Sequence, residues 1–490
     1  MRRLALLLTC SLTFGLTACI SSNGITPETS LPDETLLSLS ADQAHFTDDA
    51  AWPNQTWWHQ YHDKQLNALM QEAVNDSPSI EEANARLRMA LAIGLQTDAA
   101  LLPSVSADAT INRKKWPSDS FYGPGELSGT SSWNNVGLIS FYYDPDIWDK
   151  NTSLSDAALS RIKKQIAETQ IATLNIESSL MHYYIQLSLA CQQRDIGEQV
   201  LATYQDRLDI MQAQLEMGLS TKVMVHQAEV SLSDAQVKLA SVIDRIDQSK
   251  HAIAAILGKS ADIADHLQPP HIDASEQDVL PSHIPAELLG HRPDVVASRW
   301  LVASKSSEID AAQADFYPDI DLTAAVGFMS VTGGMLSVLS HEKLTYNAGP
   351  AISLPIFDAG RIRAQLKQRD AEYDVAVSQY KSTLSGAIQD ISDSLSAIHT
   401  AQQQLNSTDV AMKASEANVA HAMDAYDVGL TDYLPIVDAK LAAFQQRLLK
   451  TDIQAEVLAA SVALNIALGG GLVGNEQSPK VEQIATRSMP

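Results

Sequence analysis

Residues 316–328 read FYPDIDLTAAVGF, a stretch in which apolar and polar side chains alternate one by one after a proline. Alternation with a period of two predicts a β-strand with one apolar and one polar face. The pattern recurs after Pro103 and over residues 344–356, whereas residues 133–143 alternate less cleanly. The sequence therefore predicts two strand pairs, 103–113 with 133–143 and 318–328 with 344–356.

These predicted strands have the length and the pattern of strands that cross an outer membrane at a tilt. A small soluble sheet packed on helices would show the same alternation. Aromatic residues near the strand ends, such as Trp133 and Tyr143, favour the membrane interpretation, because aromatic girdles mark membrane interfaces. The turn-rich loops 114–132 and 329–343 are then predicted to face outside.

The two strand pairs belong to two copies of a larger unit. Pro78 and Pro103 are 25 residues apart, and so are Pro293 and Pro318. Later segments recur in the same order: Ile147-Trp148-Asp149 as Ile356-Phe357-Asp358, Gly218-Leu219 as Gly429-Leu430, and Leu257-Gly258 as Leu468-Gly469. Matches in this order indicate an internal duplication.

Long helices fill the rest of each repeat. Residues 151–217 and 361–428 contain no proline and one glycine each, and apolar side chains recur every three or four residues. This pattern predicts helices in coiled-coil-like packing, each roughly 100 Å long. Gly218 and Gly429 can adopt the left-handed conformation at a helix reversal, where Ser220 or Thr221, and Thr431 or Asp432, could cap the returning helices.

Composition excludes several classes of function. The chain has 59 acidic and 34 basic residues, a net charge of −25, so a nucleic-acid partner is not expected. Its three cysteines cannot build a disulfide framework or a cysteine zinc site. Motifs of zinc proteases, serine hydrolases and phosphate-binding loops are missing, so we expect no catalytic residue, metal site or cofactor.

The N-terminus indicates export and lipidation. Arg2 and Arg3 precede an apolar run from Leu4 to Leu16, which is typical of a signal peptide and too short for a membrane-spanning helix. The following Leu16-Thr17-Ala18-Cys19 resembles the lipobox of bacterial lipoproteins, which implies cleavage after Ala18 and acylation of Cys19. The alternative is a plain signal peptide with a chance cysteine.

No later stretch contains eighteen consecutive apolar residues, so a membrane could be crossed only by strands closed into a barrel. Four strands are too few to close a barrel. An oligomer is therefore expected: a dimer would supply eight strands, and a trimer would supply twelve strands with room for a lumen.

Four motifs occur in a fixed order along the mature sequence: Trp57-Trp58 with Asp63, Leu66 and Leu69; His291-Arg292-Pro293-Asp294; Phe316-Tyr317-Pro318; and Pro355 to Arg361. With these motifs the chain resembles outer-membrane efflux lipoproteins of the TolC/OprM (NodT-type) outer membrane factor family, and the resemblance covers essentially the whole mature sequence.

The resemblance implies a mainly α fold with a transmembrane β-barrel portion, namely a homotrimer whose twelve-stranded barrel is continuous with a twelve-helix α-barrel. It also implies an outer-membrane duct that works with a periplasmic adaptor and an inner-membrane pump to export drugs or toxic small molecules. The expected organisation is a signal peptide (1–18), a lipid-anchored and equatorial segment (19–70), a first repeat (71–260), an equatorial linker (261–286), a second repeat (287–470) and an equatorial tail (471–490).

Two groups of residues could carry this function. In the family, the helical reversals dock the adaptor, so the contact candidates are Gly218, Leu219, Ser220, Thr221, Gly429, Leu430, Thr431 and Asp432. Plain hairpin turns are the alternative. Five acids and no Lys or Arg lie between Ala414 and Ala439. Asp438 matches a family position implicated in closing the periplasmic aperture, and Asp424 and Asp427 could join it in an acidic ring. A solvated acidic face is the alternative.

Two other classes of function fit the sequence less well. A structural or adhesive coiled-coil lipoprotein that spans the periplasm would explain the helices and the lipid, but not the duplicated amphipathic strands. A periplasmic enzyme has no residues to support it.

Overall fold

The computed structural model describes residues 21–32, 54–118, 127–272, 292–331, 335 and 337–471. Several predictions fall outside these residues, including the signal peptide, the Cys19 lipidation site, most of the predicted linker and nearly all of the predicted tail. The chain divides into two compact units. The sheet unit comprises Met1–Leu31, Leu87–Gln165 and Ser298–Tyr380, and the hairpin unit comprises Pro32–Arg86, Ile166–Ala297 and Lys381–Pro490.

The described helices and strands follow the same order in both repeats. A first helix α1 (Lys64–Asp76) is followed by α2 (Pro78–Asp98), β1 (Ser104–Lys115), β2 (Ser131–Tyr143), α3 (Lys150–Glu216) and α4 (Lys222–Ile256). The second repeat has α5 (Pro293–Ala314), β3 (Asp319–Ser330), β4 (Leu344–Ser353), α6 (Arg361–Asp427) and α7 (Leu434–Ala467). Short 3₁₀ turns are at Trp57–Tyr61, Ala99–Leu101, Ala261–His266, Ser337–Leu339 and His341–Lys343.

The four strands of the sheet unit form one antiparallel sheet in the order β1-β2-β3-β4. The register pairs Val105 with Phe141, Ile139 with Val326, and Val326 with Tyr346. Gly327 permits the close approach of β2 and β3, because an added Cβ atom would lie 2.0 Å from the carbonyl oxygen of Gly137. Within this unit, helical residues Ile309, Ala312 and Leu366 form a small apolar core with Ile25.

The core of the hairpin unit is larger and lies where α1 packs against α3. Leu66, Met70, Leu180 and Met181 are fully buried, and Trp57, Trp58, Tyr61 and Cys191 belong to the same cluster. A second cluster at the end of the first hairpin contains Leu208, Met211, Val225 and Ala228. In both clusters, apolar side chains from different helices are buried against one another.

Several element ends differ from the sequence interpretation. The strand expected over 344–356 ends at Ser353, and Pro355, which has no backbone N–H to donate to a ladder, lies beyond it. The spacing of Pro78 and Pro103 predicts a helix over residues 78–102, but α2 ends at Asp98, and a 3₁₀ turn leads into Pro103 because a residue before proline avoids the helical region. Within the described residues, no helix is both long enough and apolar enough to span a membrane.

Candidate functional site

One face of the sheet is apolar across all four strands and is open to solvent in the single chain. In the register it brings together Val105 and Ile111 of β1 with Ile139 and Phe141 of β2. It continues over Val326 and Leu322 of β3 to Tyr346 and Ile352 of β4. Val105 and Ile352 are each 68% exposed, and Tyr346 is 80% exposed. An apolar face of this extent marks an interaction surface, and a soluble sheet would bury it.

Aromatic side chains lie towards both ends of this apolar face. Phe141 and Tyr143 are at the end of the sheet that leads into the helices, whereas Trp133, Phe328 and Tyr346 lie towards the end that carries the loops. This distribution is typical of the two aromatic girdles of strands that cross a membrane.

The opposite face is richer in polar groups. It carries Ser104, Ser106, Asp108 and Thr110 on β1, and Thr323 and Asp321 on β3. The Tyr142 hydroxyl donates a 2.6 Å hydrogen bond to Asp321 Oδ1 across this face. Val136 and Leu138 of β2 also lie here, opposite Thr110 and Asp108, which explains why residues 133–143 alternate poorly.

The two helical reversals have the same geometry. Gly218 and Gly429 each have φ of +74°, in the left-handed region that favours glycine. At the first tip, the N–H groups of Gly218 and Leu219 donate to the carbonyl oxygens of Leu215 and Gln214, and at the second tip Gly429 and Leu430 donate to Tyr426 and Ala425. Leu219 and Leu430 are 75% and 80% exposed. Each tip therefore presents one leucine to its surroundings on a fixed backbone.

The predicted side-chain caps at these tips are wrong in part. Thr221 precedes α4 at the N-cap position, but its side chain accepts no capping hydrogen bond. Helix α7 begins after Tyr433, not after Thr431 or Asp432, and Pro435 lies in its first turn. Asp432 instead accepts a long 3.3 Å hydrogen bond from the Leu434 N–H. The tight turns position the return helices without help from the expected hydroxyl groups.

The acidic region near the second tip is partly neutralised by basic residues from elsewhere in the sequence. Arg207 of α3 donates from Nη1 to Asp438 Oδ1 of α7 at 2.8 Å. Arg447 lies 3.5 Å from Glu416. Asp424 is 83% exposed at its side chain and lies 4.0 Å from His421, and Asp427 is exposed. A count confined to residues 414–439 therefore overstates the local negative charge.

The motif that contains Trp57 and Asp63 organises the core of the hairpin unit. Asp63 caps α1 by accepting from the N–H groups of Gln65 and Leu66, and it also accepts from the Tyr184 hydroxyl and the His271 N–H. Burial by itself raises the pKa of Asp63, but these four hydrogen bonds outweigh burial and lower the pKa below its usual value. The ionised carboxylate of Asp63 therefore links three segments by hydrogen bonds: the start of α1, helix α3 and the backbone at His271.

Glu177 is a buried acid that sequence reasoning missed. Its side chain is in the hairpin unit and accepts a 3.2 Å hydrogen bond from Trp57 Nε1. Burial raises the pKa of Glu177 to about 7, and the bond from Trp57 only partly opposes this.

Two other family motifs have structural roles. The Arg292 guanidinium bonds to the carboxylates of Asp294 and Asp390 and to the carbonyl oxygen of Ala467, which joins α5, α6 and α7. Asp358 accepts from the N–H groups of Gly360 and Ile362 and so caps the start of α6. These motifs hold helix ends in place and carry no reactive chemistry.

A five-residue ionic cluster in the sheet unit was also missed. Glu308 of α5 is almost fully buried and is paired with Arg161, Lys305 and Arg369. Glu372 joins the cluster through Lys305 and Arg369, and these interactions lower its pKa to about 2, with the bond from Lys305 as the largest cause. No local motif indicates this cluster, because its members come from three helices.

An acidic cavity of about 460 Å³ lies within the sheet unit, lined among others by Asp144, Trp148, Lys150 and Tyr317. Carboxylate oxygens of Asp144, Asp319 and Asp321 lie within 4.8 Å of one another. Two of these three carboxylates already accept hydrogen bonds: Asp144 accepts from the Asp146 N–H and from Asn151, and Asp321 accepts from Tyr142.

Comparison with known proteins gives a consistent result. Residues 69–259 and 284–470 match the family model described as outer membrane efflux protein. The chain is 34% identical over 353 residues to the fusaric acid resistance protein FusA of Burkholderia cepacia, covering 72% of this chain and 67% of that protein. It is 25% identical to the multidrug resistance outer membrane protein MdtP of Escherichia coli, over 98% and 99% of the two chains.

A solved structure has the same fold. The outer membrane protein VceC of Vibrio cholerae superposes with a TM-score of 0.78 at 30% identity, covering 86% of this chain and all of that one. The CmeC outer membrane channel of Campylobacter jejuni gives a TM-score of 0.84 at 20% identity, over 95% and 99% of the two chains.

Proposed function

This chain belongs to the outer membrane efflux protein family, whose members are passive channels and not enzymes, and on that premise we propose its specific role. It is the outer-membrane channel of a tripartite efflux system. An inner-membrane pump and a periplasmic adaptor deliver drugs or toxic small molecules to this channel. The relatives named for fusaric acid resistance and multidrug resistance support substrates of this kind.

The observation that carries the proposal is the exposed apolar face of the sheet. An apolar face on all four strands, with aromatic residues towards both ends and polar residues on the reverse, suits strands that have lipid on one side and water on the other. The described residues bury little of this face within the chain.

The edges of the sheet support a trimer. Within the described residues β1 pairs only with β2, and β4 pairs only with β3, so both edges retain unpaired backbone groups. These groups are costly in lipid. Because the sheet has four antiparallel strands, β1 and β4 run in opposite directions, and β4 of one copy can pair antiparallel with β1 of the next. Three copies then close a twelve-stranded barrel with a lumen, above a tunnel of twelve helices.

The ends of this assembly have separate roles. Cys19 carries the lipid that anchors the chain to the outer membrane. The exposed tips at Gly218–Thr221 and Gly429–Asp432 dock the adaptor, and the Arg207–Asp438 pair holds the periplasmic aperture closed, with Asp424 and Asp427 adding negative charge. The matching backbone of the two tips supports a repeated docking surface.

Docking can be tested by substitution at the tips. Leu219→Asp and Leu430→Asp leave the turns intact, because both side chains are exposed, but each should weaken adaptor crosslinking and efflux. Val410→Asp is a matched control, since Val410 is similarly exposed, at 69%, but lies within α6 and away from the tips. Normal crosslinking in the Leu219→Asp, Leu430→Asp double variant would argue against docking at the tips.

The channel itself is tested in two steps. Purified full-length protein should migrate as a heat-modifiable trimer and should give single-channel currents in planar bilayers. Deletion of the gene should then raise intracellular drug accumulation, and the intact gene should restore it. A monomer that gives no current would favour a structural lipoprotein and overturn the proposal.

A further inference from the structure

The loop end of β1 carries an unusual run of positive charge. Arg113, Lys114 and Lys115 are three consecutive basic residues in a chain with a net charge of −25, and all three are exposed. They lie at the end of the sheet far from the helices, where the strand leads into the first inter-strand loop. At the start of β4 on the same end, Glu342 offsets the neighbouring Lys343.

The period of the strand places these three residues on different faces. Arg113 and Lys115 lie on the same face of β1 as Val105, Ala107, Ala109 and Ile111, and they form the loop end of this apolar row. Arg113 is directly opposite Trp133, and Lys115 is opposite Ser131. Lys114 lies on the reverse face, where its ammonium is 4.2 Å from the centre of the Trp116 ring.

Arg113 and Lys115 have no ion-pair partner within the described part of the chain, in contrast to Glu308 and Asp438, which are paired. Two cations without an ion-pair partner among the described residues lie at the boundary of an apolar face, beside an aromatic residue, and are placed to bind anions at the surface of a lipid layer. Polybasic segments at an anionic membrane surface gain about 1 kcal/mol for each Lys or Arg, and Arg can bind phosphate with two parallel hydrogen bonds.

We propose that Arg113 and Lys115 form a binding site for the phosphorylated headgroup of an outer-leaflet glycolipid, with Trp133 against its acyl-chain boundary. The inference rests on the proposed membrane function of the sheet. Such a site would give the protein a lipid ligand and would account for a basic run on an acidic chain. Three copies would place this site around the outer rim of the trimer.

The test uses full-length, delipidated protein in detergent, titrated with diphosphorylated lipid A. Arg113→Gln and Lys115→Gln should each weaken binding about fivefold at low salt, and the double variant should weaken it by more than tenfold. Lys114→Gln is a matched control: it removes the same charge one residue away on the other face, and its affinity should equal that of the parent protein.

Further ligands separate the sources of phosphate. Dephosphorylated lipid A should bind weakly to all variants, and millimolar inorganic phosphate should displace little lipid A. Complete displacement by inorganic phosphate would indicate a general anion site and overturn the lipid assignment. Equal losses in Lys114→Gln and Arg113→Gln would also overturn it, since they would show a nonspecific effect of charge.

Trimer migration and single-channel current are measured on the same preparations. Protein that inserts and conducts, but binds lipid A independently of Arg113 and Lys115, disproves only this inference. Protein that forms no trimer and no channel disproves the proposed function instead.

Discussion

At the scale of single residues, the Arg207–Asp438 pair is the sharpest test of gating. Both side chains are partly exposed, so the pair contributes little to folding stability. Its loss should instead free α7 from α3 and raise the channel's open probability. Arg207→Ala and Asp438→Ala should therefore increase the time-averaged conductance in planar bilayers by similar amounts. The double variant should show little further increase. Asp206→Ala, an exposed acid beside Arg207, is the control. Unchanged opening and cation preference in Asp438→Ala would remove the pair from the gate.

Glu177 predicts a pH dependence of stability. A glutamate in the unfolded chain titrates near a pKa of about 4.3, whereas burial raises the pKa of Glu177 to about 7. The native state therefore holds an extra proton between these values, and stability should fall as pH rises through this window. Glu177→Gln retains an acceptor for Trp57 and removes the ionisation, so it should be more stable than the parent protein above pH 7, by up to about 3 kcal/mol.

Thermal unfolding of full-length protein, followed by circular dichroism at pH 5 and pH 8, measures this effect. Glu216→Gln is the control, because Glu216 is an exposed acid at the end of the same helix. If Glu177→Gln kept the pH dependence of the parent protein, the buried carboxyl would not be its source.

Partners that are distant in sequence explain what sequence reasoning missed at this scale. Asp438 was identified as a candidate, but Arg207 lies 231 residues away and belongs to the other repeat. In the sequence, Glu177 is one of many polar residues on a long helix, and its contact with Trp57 arises only from the packing of distant segments. Asp63 was identified from its motif, yet its contact with Tyr184 depends on the packing of α1 against α3.

At the scale of elements, the apposition of β2 and β3 predicts a sharp difference between two glycines. A Cβ atom at Gly327 would lie 2.0 Å from the carbonyl oxygen of Gly137 and 2.8 Å from Leu138 Cα, and neither backbone atom can move without a change in the strand pairing. A Cβ atom at Gly349 would meet nothing within 4 Å. Gly327→Ala should therefore greatly reduce the yield of folded trimer, and Gly349→Ala should not. Equal yields on semi-native gels would contradict this close strand apposition.

Local signals explain which elements were predictable. Prolines, a period of two and a period near 3.6 are properties of neighbouring residues, so they located the strand pairs and the helical hairpins. The 133–143 strand was harder to predict, because the apolar residues Val136 and Leu138 lie on the polar face and interrupt the alternation. The caps of α4 and α7 were partly wrong because the glycine turns fix the backbone without side-chain acceptors.

At the scale of the whole molecule, the net charge of −25 leads to a prediction about ion selectivity. The polar face of the sheet carries Asp108, Asp319 and Asp321 against Lys114, and in the proposed trimer this face lines the lumen. A lumen with excess fixed negative charge attracts cations and repels anions. Reversal potentials in a KCl gradient should therefore show a preference for potassium over chloride in dilute salt.

Ionic strength and charge removal test the origin of that preference. It should decrease towards equal permeability near 1 M KCl, where the screening length is about 3 Å. Asp108→Asn should weaken it in dilute salt, because one acid is then lost from each copy around the lumen. Arg113→Gln and Lys115→Gln, which alter charge on the lipid-facing side, should change it much less. A channel that prefers chloride, or one whose selectivity responds equally to both sets of variants, would mean that the polar face does not line the lumen.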